Sequence, residues 1–278
     1  MKDICIYAFS DEASPDIDKQ IAALKRNGLQ GMEIRNADNI NVSVLPAYKA
    51  REIRKKLDDN GLRVWSIGSP IGKIGIDDVF TSHLDTFKHT LEIAELLGAE
   101  NLRLFSFYMP EGESPDKHRG KVIGRLMQFV EVAKNYDITL CHENEKGIYG
   151  DTPERCAQIH RYLPAIKAIF DPANFIQSGV NTLKAWEVLK PYVKYMHIKD
   201  AMEDGAVVPA GHGVGNIATI AAEFIAQGGC DFTIEPHLTI FDGLRGLERE
   251  GERTKIAFEY PDEETAFDVA CDSFKALL

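Results

Sequence analysis

Residues 137–154, DITLCHENEKGIYGDTPE, hold one complete structural unit. Ile138 to Cys141 read as a short apolar strand, and His142, Glu143, Asn144 and Glu145 follow without a break. Thr152, Pro153 and Glu154 then place a cap residue before proline at the first position of a helix. Charged groups at the end of a buried strand are costly unless something pairs with them. The unit therefore reads as strand, polar site, helix.

The same texture runs outward in both directions. β-rich runs occur at ICIYAF, GMEIR, LRVWSI, NLRLFSF, ITLCHE, IKAIFD, VKYMHI and DFTIE. Between them Ile17, Ile21 and Leu24, and then Leu84, Phe87, Leu91 and Ala94, recur at helical spacing. Segments 44–60, 115–136, 153–162, 182–190, 216–227 and 263–277 also read as helices. SPD at 14–16 and 114–116 repeats the cap-then-proline signal, and Gly28, Gly61 and Gly98 stand where left-handed helix ends are expected. Eight strands alternating with eight helices imply a parallel sheet, and at this length a closed (β/α)8 barrel forming a single domain over residues 1–278. No G-x-G-x-x-G follows the first strand, which disfavours the doubly wound open sheet.

Composition sets the outer limits. The chain has 278 residues, 44% of them hydrophobic and 27% charged, enough for a sizeable core. Its 43 acidic against 32 basic residues give a net charge of -11, a poor electrostatic partner for nucleic acid or an anionic membrane. The five scattered cysteines form no CxxC, and no apolar run reaches the length of a signal peptide core or membrane span. A cytoplasmic protein with reduced thiols is expected.

A barrel of this kind carries its chemistry at the C-terminal ends of the strands. Those ends hold Glu33 and Arg35 on the second strand, Ser69 after the third, and Arg103 and Ser106 on the fourth. Glu143, Asp171, His197 and Glu235 follow on the fifth to eighth. By the two-residue period of a strand, Cys141, Glu143 and Glu145 share a face, as do Ile169 and Asp171, Tyr195, His197 and Lys199, and Thr233 and Glu235. Three carboxylates and one imidazole converging at one mouth repel one another unless a cation lies between them. The donor set suits one divalent metal ion, Mn2+ or Mg2+ first and Zn2+ or Co2+ next. A single acid at a strand end can equally cap the following helix; four successive ligand types make the shared site the better reading.

In order, CHENE, FDPANF, MHIKD, VPAGHGVGNI and IEPH resemble the xylose isomerase-like TIM-barrel superfamily, and within it the sugar phosphate isomerase/epimerase group. AFSDE, ALKRNGLQGMEIR and LRLFSFY extend the likeness over nearly the whole chain. The group includes ketose 3-epimerases, hydroxypyruvate isomerase, inosose dehydratase and, more distantly, endonuclease IV. The resemblance implies that Glu143, Asp171, His197 and Glu235 are metal ligands, choosing Glu143 over Glu145 because Glu followed by Asn is the family pattern. Two departures stand out. Asn174 occupies a place where ketose 3-epimerases and endonuclease IV have histidine, and the loop after the seventh strand lacks the arginine of the 3-epimerases.

The expected activity is proton transfer beside a carbonyl on a ketose, keto-inositol or related sugar, with Glu143 and Glu235 as acid–base pair. Elimination from a keto-sugar or inosose on the same site is the alternative, and phosphodiester hydrolysis or sugar binding without catalysis stands further off. Glu33, Arg103, Glu145, Asn174, Lys199 and His212 are the expected substrate contacts, and His142 and His237 lean towards supporting roles. GLEREGERTK, residues 246–255, lies where a solvated loop, a lid or a homo-oligomer contact would fall.

Overall fold

In the computed structural model, residues 3–241 and 254–278 are described. Strands β1 (Cys5–Ala8), β2 (Gly31–Ile34), β3 (Arg63–Ile67), β4 (Asn101–Leu104), β5 (Thr139–Glu143), β6 (Lys167–Phe170), β7 (Val193–Ile198) and β8 (Asp231–Ile234) pair in sequence order. Each neighbour is parallel, and β1 pairs with both β2 and β8, so the sheet closes into the expected barrel.

Helices α1 (Ile17–Arg26), α2 (Ala47–Asp59), α3 (Phe80–Leu97), α4 (Arg119–Ala133), α5 (Pro153–Tyr162), α6 (Pro172–Gln177), α7 (Thr182–Leu189), α8 (Ile217–Ala226) and α9 (Glu263–Lys275) surround it. Each buries one apolar stripe against the outer face of the strands. On α1 that stripe is Ile17, Ile21 and Leu24; on α3 it includes Phe87, Leu91 and Ala94. Short antiparallel ribbons join Asn36–Ala37 to Ile40–Asn41 and Asp200–Ala201 to Val207–Val208.

Two helix expectations need correction. Asp171 caps an additional six-residue helix, α6, because Pro172 starts a helix at once after β6. Pro15 does not open α1: Asp16 caps it, accepting from the backbone N–H of Asp18 and Lys19. Thr152 does cap α5, and Gly28, Gly61 and Gly98 have positive φ. The 246–255 run lies outside the described residues except for Thr254 and Lys255.

The barrel interior has its own packed layer, made of Tyr7, Trp65, Cys141, Ile169 and Tyr195. Tyr7 stacks on Trp65 with ring centres 4.9 Å apart. Because side chains alternate along a strand, Cys141, Ile169 and Tyr195 facing inward fixes the direction of their neighbours two residues on. Glu143, Asp171 and His197 must point into the mouth.

Candidate active site

They do, and Glu235 joins them. Glu143, Asp171, His197 and Glu235 are all buried, and one potential ligand atom from each lies within 4.8 Å of all the others. His197 Nδ1 is 2.9 Å from Glu143 Oε1 and 3.5 Å from Glu235 Oε2. Lys199 Nζ sits 2.9 Å from Asp171 Oδ2 and 3.0 Å from Glu235 Oε2.

Asp171 serves two purposes. Its Oδ1 accepts the Asn174 backbone N–H at 2.8 Å and caps α6. Its buried Oδ2 has the Lys199 ammonium, 2.9 Å away, as its one partner among the described residues, with lone-pair capacity to spare. An anionic oxygen left this way in a closed pocket, facing three further donors of the right kind, fits a hard or borderline divalent cation.

The side chains under the quartet orient it. His197 Nε2 lies 3.1 Å from Glu33 Oε2, while Glu33 Oε1 accepts from Tyr195 Oη at 3.0 Å. Glu33 was an expected substrate contact; it is instead fully buried, both oxygens engaged, holding the imidazole with Nδ1 towards the other carboxylates. Asn174 donates to Glu143 Oε1 at 3.2 Å and to the Asn144 carbonyl at 2.9 Å, so this position steadies a ligand rather than adding one. Asn144 in turn exchanges two hydrogen bonds with the Asp171 backbone, tying β5 to β6.

The other wall is cationic. Arg103 Nη1 reaches Glu143 Oε2 at 3.1 Å and Glu235 Oε1 at 3.5 Å, so its partners are these two acids and not Glu33. Arg35 Nη1 reaches the same Glu235 oxygen at 3.4 Å, and its remaining donors go to Asp11 and Glu12. These guanidiniums alternate with rings: Phe241, Arg35, Phe9, Arg103, Phe105 and Lys73 form a ladder with cation-to-ring distances of 4.4–5.1 Å. Cations over aromatic faces are attracted by the ring quadrupole.

Charge follows from this geometry. Burial pushes the Glu143 carboxyl up, but His197 and Arg103 outweigh it and hold the group at about 2. For Glu235 burial is likewise overcome, by Lys199 and the histidines, leaving it well below the usual range. Burial dominates at Asp171, which is pushed up to about 7 despite Lys199. Two ionised carboxylates, from β5 and β8, thus stand on either side of His197 Nδ1 and Arg103 Nη1.

The remaining expected contacts separate. Lys199 is in the cluster; Glu145 lies nearer solvent, paired with Lys73 at 2.7 Å. His212 is exposed. The glycines around it bring backbone to a side chain: the N–H groups of Gly211, Gly213 and Gly215 donate to the buried Asp200 carboxylate at 2.9–3.0 Å. A Cβ at Gly213 would lie 2.3 Å from the Ala201 carbonyl oxygen. His142 bonds Ser106 at 2.9 Å. His237, at φ 47°, sits beside Glu12, Glu235 and Arg35. Sequence reasoning passed over Asp11, Glu12, Phe9 and Lys73, whose roles appear only when the loops meet.

The protein is a closed (β/α)8 barrel with a buried carboxylate–imidazole cluster at its C-terminal mouth, a set of side chains that could hold a metal ion. The chain belongs to the family described as xylose isomerase-like TIM barrel, whose model matches residues 21–255. Among solved structures it is similar to an L-ribulose 3-epimerase, with TM-score 0.76, 19% identity, and coverage of 100% of this chain and 95% of that one. It is also similar to the probable 3-DHS dehydratase AsbF from Bacillus anthracis, with TM-score 0.74, 14% identity and 99% of each chain covered. The IOLI protein, solved with a bound zinc atom, gives TM-score 0.74 at 13% identity over 99% and 97% of the two chains. No curated protein sequence matches.

Proposed function

We propose that this chain is a divalent-metal-dependent sugar isomerase or epimerase that moves a proton at a carbon beside a carbonyl. The convergence of Glu143, Asp171, His197 and Glu235 in one buried cluster carries the reading. These four residues would hold the ion, which when bound supplies Lewis acidity towards a substrate oxygen.

The chain's own groups do the rest. Glu143 and Glu235 come from β5 and β8, so they flank a substrate on two sides. Both are ionised. One takes the proton from the carbon beside the carbonyl; the C–H electron pair moves into the new C=C bond and the carbonyl pair onto oxygen. The carboxyl that took the proton gives it back to the neighbouring carbon, yielding an aldose–ketose isomer. An epimer forms when Glu143 takes the proton and Glu235, receiving one from the Lys199 ammonium 3.0 Å away, passes it to the opposite face, with Lys199 recharged from solvent and Glu143 releasing its proton to solvent. Asp171, which caps α6, and His197, fixed by Glu33, keep their places throughout. The similarity to an L-ribulose 3-epimerase supports a sugar substrate.

One observation favours a second reading. Lys199 lies between Asp171 and Glu235, where its ammonium can protonate a departing hydroxyl. That serves elimination from a keto-sugar, and a probable dehydratase is among the similar structures.

The test is a panel of ketoses, keto-inositols and oxidised glycosides with added Mn2+ in deuterium oxide, quenched, freed of metal and read by NMR. Deuterium should enter beside the carbonyl. Glu235→Gln should retain metal yet lose exchange by about 10²-fold or more, the range for removal of a general base. Exchange at the wild-type rate in both Glu235→Gln and Glu143→Gln would refute the assignment.

A further inference from the structure

The cations that line the mouth are committed to carboxylates already present. Arg35 is held by Asp11, Glu12 and Glu235; Arg103 by Glu143 and Glu235; Lys199 by Asp171 and Glu235. All three are buried. The next position outward is the pair Lys73 and Glu145, from the loops after β3 and β5, with side chains 12% and 22% exposed and N and O atoms 2.7 Å apart. Lys73 lies 4.4 Å from the Phe105 ring, the end of the ladder that leads down to Arg103 and the two glutamates. Lys73 and Arg103 both lie against the Phe105 ring, so one aromatic side chain separates the pair from the glutamates that Arg103 holds.

A lysine and a glutamate side by side offer one strong donor and one strong acceptor. Neighbouring hydroxyls of a polyol match that pattern, each able to give and receive. A phosphate or carboxylate can use only the donor, and it meets Glu145, a like charge, next to it. Like-charge contact in an interface costs several kcal/mol.

We infer that Lys73 and Glu145 form the subsite for the part of the substrate remote from the reacting carbons, and that it selects a neutral, unphosphorylated polyhydroxylated ligand. This rests on the proposed sugar isomerase or epimerase site and specifies its substrate class. Glu145 is the discriminating group. Its carboxylate accepts from sugar hydroxyls, repels an anionic terminus and keeps the Lys73 ammonium occupied. Replacing it with glutamine preserves an acceptor while releasing the lysine to an anion.

The experiment is calorimetric titration of Mg2+-loaded protein with matched pairs: D-fructose and D-fructose 6-phosphate, L-ribulose and L-ribulose 5-phosphate. Inorganic phosphate serves as competitor. For at least one pair the free sugar should bind about a hundred-fold more tightly than its phosphate ester, with inorganic phosphate failing to displace it. Glu145→Gln should narrow that ratio by about ten-fold, chiefly by improving the ester, and Lys73→Met in the same background should abolish the gain. A residue with a merely structural role would weaken both members equally. Tighter binding of an ester, or displacement by inorganic phosphate, overturns the inference and leaves the isomerase site standing. If no member of either pair binds, the site reading and the inference fall together.

Discussion

The two halves of the barrel mouth are built on opposite principles. From β5 to β8 each strand ends in a potential metal ligand, and the acids among them face one another across the pocket. From β1 to β4 the mouth is walled by Arg35 and Arg103, interleaved with Phe9 and Phe105. One half brings three carboxylates and an imidazole together with Lys199; the other contributes two guanidiniums and packing rings, with Asp11, Glu12 and Glu33 of its own beside them. Glu235 belongs to both, receiving Arg35, Arg103 and Lys199 together. If the proposed function holds, Arg35 and Arg103 stabilise the carboxylates without taking part in the chemistry, and substitution should separate the two kinds of residue.

The largest effect should come from the cationic wall. Arg103→Leu leaves Glu143 and Glu235 buried with less compensation, and removing one partner of a buried pair typically costs about 3–5 kcal/mol. Urea unfolding of the metal-free variant measures it. Asp171→Asn in the opposite half removes a charge that burial already disfavours, so the metal-free protein at pH 8 should lose little or no stability. Equal losses in the two variants would break the division.

Glu33→Gln sharpens it. The side chain is buried with both oxygens engaged, one beside His197 Nε2 and the other accepting from Tyr195. Its replacement should lower metal affinity by about 10–100-fold, the usual cost of losing a group that orients a ligand. Excess metal should then restore activity. Loss of activity that excess metal cannot restore would give Glu33 a part in the chemistry.

At neutral pH the smallest expected effect lies behind β5, where the consequence shows only on acidification. Burial pushes His142 down to about 3 and His160 down to about 4, so both stay neutral in the folded protein. In the unfolded chain they take up protons near pH 6.5. Protons then favour the unfolded state, and stability should fall as pH drops from 6.5 towards 4, by up to about 1.4 kcal/mol per pH unit for each histidine. His160→Phe should flatten that slope in denaturation curves. An unchanged slope would show that another group governs the acid limb.

The eight strands were legible because each is a short apolar run with a polar end, and many of the following helices add a cap or a glycine stop, as at Asp16, Thr152, Gly28 and Gly98. The convergence of Glu143, Asp171, His197 and Glu235 was legible for the same reason, each standing at a strand end with the two-residue period fixing its direction. Helix α6 was not, since six residues are too few to show a helical period. The ladder of Phe9, Arg35, Arg103, Phe105 and Phe241 was also hidden, because its members come from separate units that meet only when the barrel closes. Asp200 shows the same limit. Nothing local in HIKD announces that its carboxylate will gather three glycine N–H groups from a loop more than ten residues away.

The central claim is that the anionic half of the mouth holds a metal. Elemental analysis tests it most directly, on protein purified without chelator, saturated in turn with Mn2+, Mg2+, Zn2+ and Co2+, and desalted at neutral pH. The account predicts close to one ion per chain, lost when His197→Ala is combined with Asp171→Asn. A wild-type protein that remains metal-free after saturation with every one of these ions would contradict it.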